Sequence, residues 1–283
     1  MKINFTKMHG LGNDFVVINN LDGHIVLTNV QIRRLANRHT GIGFDQLLMI
    51  ASPSVADADF DYVIYNADGS ESGQCGNGAR CFALYIKMYS LSTKVNLSIN
   101  TSHGMIFTHY FSDDKISVNL GAVNFEPSSI PVASMSYTAT DLKNSAVDVV
   151  TDRRRYSLSL LSLGNPHAII QVSKIQEVDL SYWGKDLQDS KYFPQQVNLS
   201  IVEIIDNNSI KIRVYERGVG ETLACGSGAC ASAIASCLHY GLSPNITVHM
   251  LGGKLTLQYS VESNSVTMIG AASSVFEGSI YLD

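Results

Sequence analysis

The sequence predicts an α+β protein of two pseudo-symmetric domains, each a curved, mostly antiparallel sheet around a central helix. Three features carry that prediction. One is a colinear internal repeat; another is a set of short alternating apolar segments in the same order in both copies. The third is a helix apolar nearly all round at the same place in each copy. Leu11-Gly12-Asn13-Asp14-Phe15-Val16-Val17-Ile18 lines up with Leu163-Gly164-Asn165-Pro166-His167-Ala168-Ile169-Ile170 at an offset of 152. Gln46 to Ile50 matches Asn198 to Val202 at the same offset. The offset becomes 150 for Asp61 to Asn66 against Lys211 to Glu216, for Glu71 against Glu221, and for Cys75-Gly76-Asn77-Gly78-Ala79 against Cys225-Gly226-Ser227-Gly228-Ala229. Gly104 and Gly121 answer Gly253 and Gly270 at 149. A single match is within chance; a colinear series is not.

Each copy is expected to open with a strand carrying its Gly-Asn pair. Tyr62-Val63-Ile64-Tyr65 and the run Ile210 to Tyr215 alternate as further strands. A loop then leads to Cys-Gly-x-Gly and into a helix. Phe82, Leu84, Tyr85, Ile86 and Met88 make the first helix apolar nearly all round, as Ala231 to Leu238 do the second, and such a helix is a buried one. Gly241 suits the second helix's C-terminal cap. Alternating segments follow at Val95 to Ile99, Met105 to Tyr110 and Ile116 to Leu120, answered by Ile246 to Met250, Lys254 to Tyr259 and Val266 to Ile269. The Ser-, Pro- and Thr-rich stretch 122–154 reads as the connection. The expected halves are residues 1–121 and 122–270, with the tail 271–283 returning to the first.

The 283 residues, 45% hydrophobic and 16% charged, suffice for a sizeable core. A net charge of -5 argues against general nucleic-acid binding. Arg153-Arg154-Arg155 is the one basic run, and it reads as a solvated turn or strand edge. No apolar stretch is long enough to span a membrane, and the start of the chain lacks a signal-peptide apolar region, so the expected location is cytoplasmic. The five cysteines include no Cys-x-x-Cys pair and the eight histidines lack metal spacing, so no metal site is expected. Cys81, Cys230 and Cys237 read as small buried hydrophobes.

Cys75 and Cys225 differ from these by position. Each precedes glycine at the start of a buried helix, at equivalent points of the repeat. A helix start favours thiolate over thiol, from an ordinary pKa near ~8.5. Its first N–H groups bind an anion such as a carboxylate. Units paired about a two-fold axis would set the two cysteines facing each other across a cleft. Inverting an α-carbon needs a base on one face and an acid on the other, and cysteine serves as either. Taken singly, each motif reads as structural; at equivalent positions, the pair reads as chemical.

Asn13, Gln46, Asn66, Asn165 and Asn198 are ordinary turn formers taken one by one. Their recurrence suggests a ring of amides around a zwitterion. Glu216 and Arg217 read either as a surface ion pair or as a grip on a second amino group and carboxylate. His167 by itself reads as a hydrogen-bonded structural residue. Competing readings are a proline racemase or hydroxyproline epimerase, a non-catalytic amino-acid-binding module, and a redox protein using the two cysteines as a dithiol. A distal polar grip favours a substrate longer than proline.

Long motifs then identify a family. They are Lys7-Met8-His9-Gly10-Leu11-Gly12-Asn13-Asp14-Phe15, Gly41-Ile42-Gly43-Phe44-Asp45-Gln46, Asn66-Ala67-Asp68-Gly69-Ser70, Gln74 to Cys81, Gly164-Asn165-Pro166-His167 and Glu216-Arg217-Gly218 through Cys230. Across nearly the whole chain the sequence resembles the diaminopimelate epimerases, which interconvert LL- and meso-diaminopimelate for lysine and peptidoglycan precursors. The resemblance implies that Cys75 and Cys225 are the acid–base pair. It implies substrate contacts from Asn13, Gln46, Asn66, Asn165, Asn198, Glu216 and Arg217, and helix-end contacts from Gly76, Asn77, Gly226 and Ser227. It gives His167 and Glu216 a part in poising the thiols. It implies no pyridoxal phosphate, metal or nucleotide, and a homodimer. Phe276 stands where a tyrosine tied to dimerisation is often found.

Overall fold

The computed structural model describes residues 1–73, 75–111, 115–133 and 141–282. In chain order it runs β1 (Lys2–Gly10), β2 (Asn13–Asn20), α1 (Asn29–Ala36), β3 (Gln46–Ala51), β4 (Phe60–Asn66), β5 (Glu71–Ser72), α2 (Gly76–Met88), β6 (Asn96–Thr101), β7 (Gly104–Tyr110) and β8 (Lys115–Ala122). It continues with β9 (Val147–Val150), β10 (Arg155–Ser162), β11 (Pro166–Gln171), α3 (Leu180–Gln188), β12 (Asn198–Asp206), β13 (Ser209–Glu216), β14 (Gly220–Thr222), α4 (Gly226–Tyr240), β15 (Asn245–Met250), β16 (Gly253–Ser260), β17 (Ser265–Ala271) and β18 (Ser273–Tyr281). The chain divides into two compact units, Met1–Asn119 with Ile269–Asp283, and Leu120–Met268. Among the described residues no helix is long and apolar enough to cross a membrane.

In the first unit the strands pair in the order β18-β1-β2-β3-β4-β6-β7-β8, with short β5 added to β4. Among the described residues of this unit, the parallel pairs are β2–β3 and β4–β6. The second unit pairs β9-β10-β11-β12-β13-β15-β16, with β14 on β13. Its parallel steps, β11–β12 and β13–β15, fall at the equivalent places. The repeat seen in the sequence is therefore a repeat of topology, and the sheets are mostly antiparallel as expected.

Each sheet is covered on both faces. In the first unit α2 packs on β1, β2, β3 and β7, with its residues Asn77 to Ile86 all buried. Period-two alternation explains the sharing of the strands. Val16, Ile18, Leu47 and Met49 join Ile32, Leu35 and Ala36 of α1 in a cluster on one face. Phe15 and Leu48, from the alternate positions, reach Gly78 of α2 on the other. In the second unit α4 packs on β10 to β13, β15 and β16. Leu180, Trp183 and Leu187 of α3 join Leu199 and Ile201 on the opposite face. The α4 helix ends at Gly241 in the left-handed region, φ 69°, as a glycine C-cap does.

Three sequence expectations need correction. The repeated Gly-Asn lies at the hairpin between two strands and not inside the opening one: β1 and β2 are joined through Leu11-Gly12, with Asn13 the first residue of β2, and β10 and β11 through Leu163-Gly164-Asn165. The stretch 122–154 is more than a connection. Its β9 pairs with β10, and Ile130, Val132, Leu142, Val147 and Val149 enter the α3-side core. Residues 134–140 lie outside the described residues. Cys81 and Cys230 are buried, whereas Cys237, nearer the end of α4, is only half-buried. The strand β18, built from the tail, runs antiparallel along β1 from Lys2↔Tyr281 to His9↔Ser273.

Candidate active site

Two helix starts carry the cysteines, one in each unit. Cys75 is the N-cap of α2, with φ -142° and ψ 116°, and its sulfur accepts from the Gly78 N–H at 3.5 Å. Cysteine is a poor choice for that place, where Ser, Thr, Asn or Asp cap best. The helix thus gives up capping strength to keep a thiol there. A Cβ at Gly78 would overlap the buried Tyr62 hydroxyl, so a side chain there fits only if Tyr62 shifts. Tyr62 donates to the Cys75 carbonyl at 3.4 Å and stacks edge-on against Phe82.

Two asparagines stand beside Cys75, and the other first-unit candidates lie at strand ends. Asn13 begins β2, Gln46 begins β3, Asn66 ends β4, and Asn77 lies in the first turn of α2. The Cys75 thiol donates to Asn13 Oδ1 at 3.7 Å, and Asn77 Nδ2 donates to the same oxygen at 3.3 Å. Gln46 Nε2 donates to Asn66 Oδ1 at 2.9 Å, across a register pair of β3 and β4. Asn66 in turn donates to Ser70. Gln74, which precedes Cys75 in its motif, lies outside the described residues.

Cys225 caps α4 in the same way, with φ -116°, ψ 109° and the Gly228 N–H at 3.4 Å. Its surroundings differ. Its thiol donates to Glu216 Oε2 at 3.1 Å, and Thr222 donates to Glu216 Oε1. The side chain is buried, 5% exposed. Burial first, then the charge and hydrogen bond of Glu216, push the Cys225 thiol well above its ordinary value. The Gly228 N–H and Ser227 pull the other way and lose. The expectation that the helix start lowers this thiol is therefore reversed, because a dry site beside a carboxylate outweighs a helix end.

The remaining second-unit residues gather here too. Asn165 Nδ2 donates to Ser227 Oγ at 3.2 Å. Its Oδ1 therefore accepts from His167 Nε2 at 2.9 Å, which assigns the Nε2–H tautomer. His167 is fully buried on β11, and burial, helped by the Arg217 charge, lowers its pKa to about 3. Its Nδ1 is buried without a hydrogen-bond partner among the described residues. Asn198 Oδ1 accepts the Arg217 N–H at 2.8 Å. Glu216 and Arg217, read as one grip in the sequence, take different partners: the carboxylate holds the thiol, while Arg217, exposed, donates to the Gln195 carbonyl at 3.2 Å.

Sequence reasoning missed the charged residues behind the Asn13 amide. Asp45 Oδ2 accepts from Asn13 Nδ2 at 3.0 Å, and Arg38 joins Asp45 to Asp14. The Asp45-Gln46 and Asn13-Asp14 neighbours were in view as motif residues, but only register brings them together. Arg80 was missed as well; it is fully buried in a helix read as apolar. Phe276, on β18, is 48% exposed with its ring edge-on to Phe5 at 6.0 Å. Among the described residues no group of His, Cys, Asp and Glu is placed to hold a metal ion.

Chemically, each helix start offers a thiol and first-turn N–H groups that have no intrahelical partner, beside amides that can meet an ammonium or a carboxylate. Comparison with known proteins points the same way. The family model described as diaminopimelate epimerase matches residues 5–126 and 159–275. The diaminopimelate epimerase of Legionella pneumophila (strain Lens) is 43% identical over 281 residues, 99% of each chain. Among solved structures, a hydroxyproline epimerase from Agrobacterium vitis superposes with a TM-score of 0.71 at 11% identity, covering 100% of this chain and 93% of that one. A PhzF-family phenazine biosynthesis protein from Bacillus anthracis gives 0.69 at 16%, over 100% of both. These two share the fold; sequence likeness at full length is to the diaminopimelate epimerases. On that likeness, with both halves of the repeat matched, the chain belongs to the diaminopimelate epimerase family of isomerases.

Proposed function

We propose that the protein interconverts LL- and meso-diaminopimelate by moving one proton at an α-carbon, with Cys75 and Cys225 as the two acid–base groups and no cofactor. The observation that carries this reading is the same device built twice, a cysteine N-cap on a buried helix with its sulfur accepting a first-turn N–H. The thiolate form of one cysteine takes the α-proton and becomes a thiol. The electron pair left on carbon spreads into the adjoining carboxylate. The other cysteine, as a thiol, delivers its proton to the opposite face and becomes the thiolate. One proton is gained and one lost, so the two sulfurs exchange states with each turnover.

The developing carboxylate charge is the barrier. The first-turn N–H groups of Gly76, Asn77, Gly226 and Ser227 are assigned to it. One oriented donor is worth ~3–4 kcal/mol in such a site, against ~1–2 kcal/mol for a helix dipole in its best settings. Several N–H groups acting together are the larger effect. Glu216 holds Cys225 as a thiol, ready to donate. His167, neutral and buried, fixes Asn165. Asn13, Gln46, Asn66, Asn165 and Asn198 meet the zwitterion, and Arg217 takes the distal carboxylate, where a planar fork orients the substrate.

The two units are assigned as the N- and C-terminal epimerase halves, 1–121 with the tail 271–283 and 122–270. The enzyme is assigned to the cytoplasm, in lysine biosynthesis, as a homodimer with Phe276 at its contact; Phe276→Glu should then sediment as a monomer. The mechanism is tested in deuterated water. Early product should carry deuterium at the α-carbon while recovered substrate stays protonated, because the donating thiol has equilibrated with solvent. Cys75→Ala and Cys225→Ala should each lose about 10⁴-fold in rate, and the double variant little more, since both serve one step. Product that keeps the substrate's own hydrogen would mean a single base.

A further inference from the structure

The Cys75 thiol meets one end of an amide, and an amide has two unlike ends. At Asn13 the carbonyl oxygen accepts from the thiol; turned over, the NH₂ group would donate to the sulfur instead. The first favours thiol, the second thiolate. Something must decide between them, and the hydrogen bonds around Asn13 do so without ambiguity.

Four side chains form one line. Arg80 Nη2 donates to Asn77 Oδ1 at 3.0 Å. Asn77 Nδ2 donates to Asn13 Oδ1 at 3.3 Å. Asn13 Nδ2 donates to Asp45 Oδ2 at 3.0 Å. A guanidinium can only donate and a carboxylate can only accept, so both ends of the line are fixed and each amide between them has one consistent orientation. The ends are themselves held. Arg80 is fully buried and donates through Nε to the Ala271 carbonyl at 3.1 Å. Asp45 accepts from Arg38 Nη2 at 2.9 Å and from the Asp14 N–H at 3.1 Å. Asp14 binds Arg38 through both carboxylate oxygens, at 2.8 and 2.7 Å, and Lys7 at 2.6 Å.

We propose that Asp45 and Arg80 are positioning residues of the Cys75 half-site, holding Asn77 and Asn13 in single amide orientations so that the Asn13 carbonyl oxygen meets the Cys75 thiol. Neither touches the sulfur. Each acts through an amide that does, or through that amide's neighbour. The proposal rests on the reading of Cys75 as an acid–base group for its catalytic consequence, but the orientation itself is a property of the resting protein.

Asp45→Asn tests it. The side chain is 46% exposed and the replacement has the same shape, so the fold is kept. The Arg38 guanidinium on one side, and Asn13 Nδ2 with the Asp14 N–H on the other, can only donate, so the NH₂ of the new amide meets a donor whichever way it is turned. Two donors then face each other. With no carboxylate at that end the orientation of Asn13 is no longer fixed, and each molecule in which it turns over brings an NH₂ toward Cys75. Among the described residues the charged or titratable groups facing this line include Lys7, Asp14, Arg38, Asp45, Tyr62, Arg80 and Cys81, and the replacement changes only one of them.

Iodoacetamide alkylation, read by peptide mapping from pH 6 to 10 without substrate, gives a profile for each cysteine. In Asp45→Asn the Cys75 profile should move to lower pH, with alkylation near neutrality about tenfold faster, the size of one ordinary hydrogen bond. The Cys225 profile should stay in place. The kcat for epimerisation should fall about tenfold with KM changed less, a small part of what acid–base catalysis supplies. Coincident Cys75 profiles in the two proteins would overturn the proposal. Epimerisation retained in Cys75→Ala would instead overturn the catalytic reading and leave the alkylation result standing by itself.

Discussion

The two cysteines sit on one backbone plan and in two different chemistries. Both cap a helix, both bind an N–H three residues on, and both follow a strand pair joined in the same register. Cys75 is half-buried and donates a hydrogen bond to a neutral amide, whereas Cys225 is buried and donates one to a carboxylate. Position for position, Asn66 becomes Glu216 and Phe15 becomes His167. The frame that points a thiol was duplicated, and the groups that decide its proton were not. A symmetric backbone suits a reaction with two faces. An asymmetric set of acceptors gives each thiol a hydrogen-bond partner of its own.

The comparison breaks most sharply at Glu216. Glu216→Gln keeps the shape and removes the charge that helps hold the Cys225 thiol up. Alkylation of Cys225 should then extend to lower pH while Cys75 is unchanged, and turnover should fall ~100-fold, as the loss of a poised acid–base group does. A Cys225 profile that does not move would show that burial alone sets this thiol.

His167 sharpens it next, through stability. Its folded pKa of about 3 lies below the ordinary 6.5, so folding holds it neutral. The contribution is fully present above pH 6.5 and is lost as pH falls from there toward 3, where the unfolded chain binds a proton that the folded chain refuses. By pH 4 the loss should be roughly 3 kcal/mol. His167→Phe copies the first unit's Phe15 and should flatten that slope in urea unfolding compared at pH 7 and pH 4. An acid slope equal to that of the parent would assign the loss to other groups.

The smallest effect separates the two glycines. At Gly78 an added methyl overlaps the Tyr62 hydroxyl, while at Gly228 it lies 3.1 Å from Val214. Gly78→Ala should cost ~1–3 kcal/mol by overpacking, and Gly228→Ala less than that. Thermal melting of the pair measures the difference, and equal losses would mean that Tyr62 moves aside freely.

Much of this was legible in the chain. Colinear matches at fixed offsets exposed the repeat, and alternation placed the strands after each helix. The cysteine N-caps stood out because a helix start next to glycine is a local feature, written in consecutive residues. Other elements left local signals that were not used: the Thr28 and Gln31 capping box announces α1, and Asp179 caps α3. The strand β9 was hidden in a polar stretch, where only Val147 and Val149 alternate.

What the sequence by itself determined, then, was order and kind: two copies of one topology, two helices apolar enough to be buried, and one thiol at the head of each. Those follow from periodicity and from residues adjacent in the chain. Only the tertiary structure decided which groups meet each thiol. Asp45 reaches Asn13 because β2 and β3 lie side by side, Glu216 reaches Cys225 because β13 ends beside the start of α4, and Arg80 is tolerated in a dry interior because Asn77 and the Ala271 carbonyl receive its donors. The Cys225 thiol shows why the distinction matters. Its place at a helix start argued for a lowered pKa, but burial and a neighbouring carboxylate are long-range facts, and in a low-dielectric site they outweigh the local one.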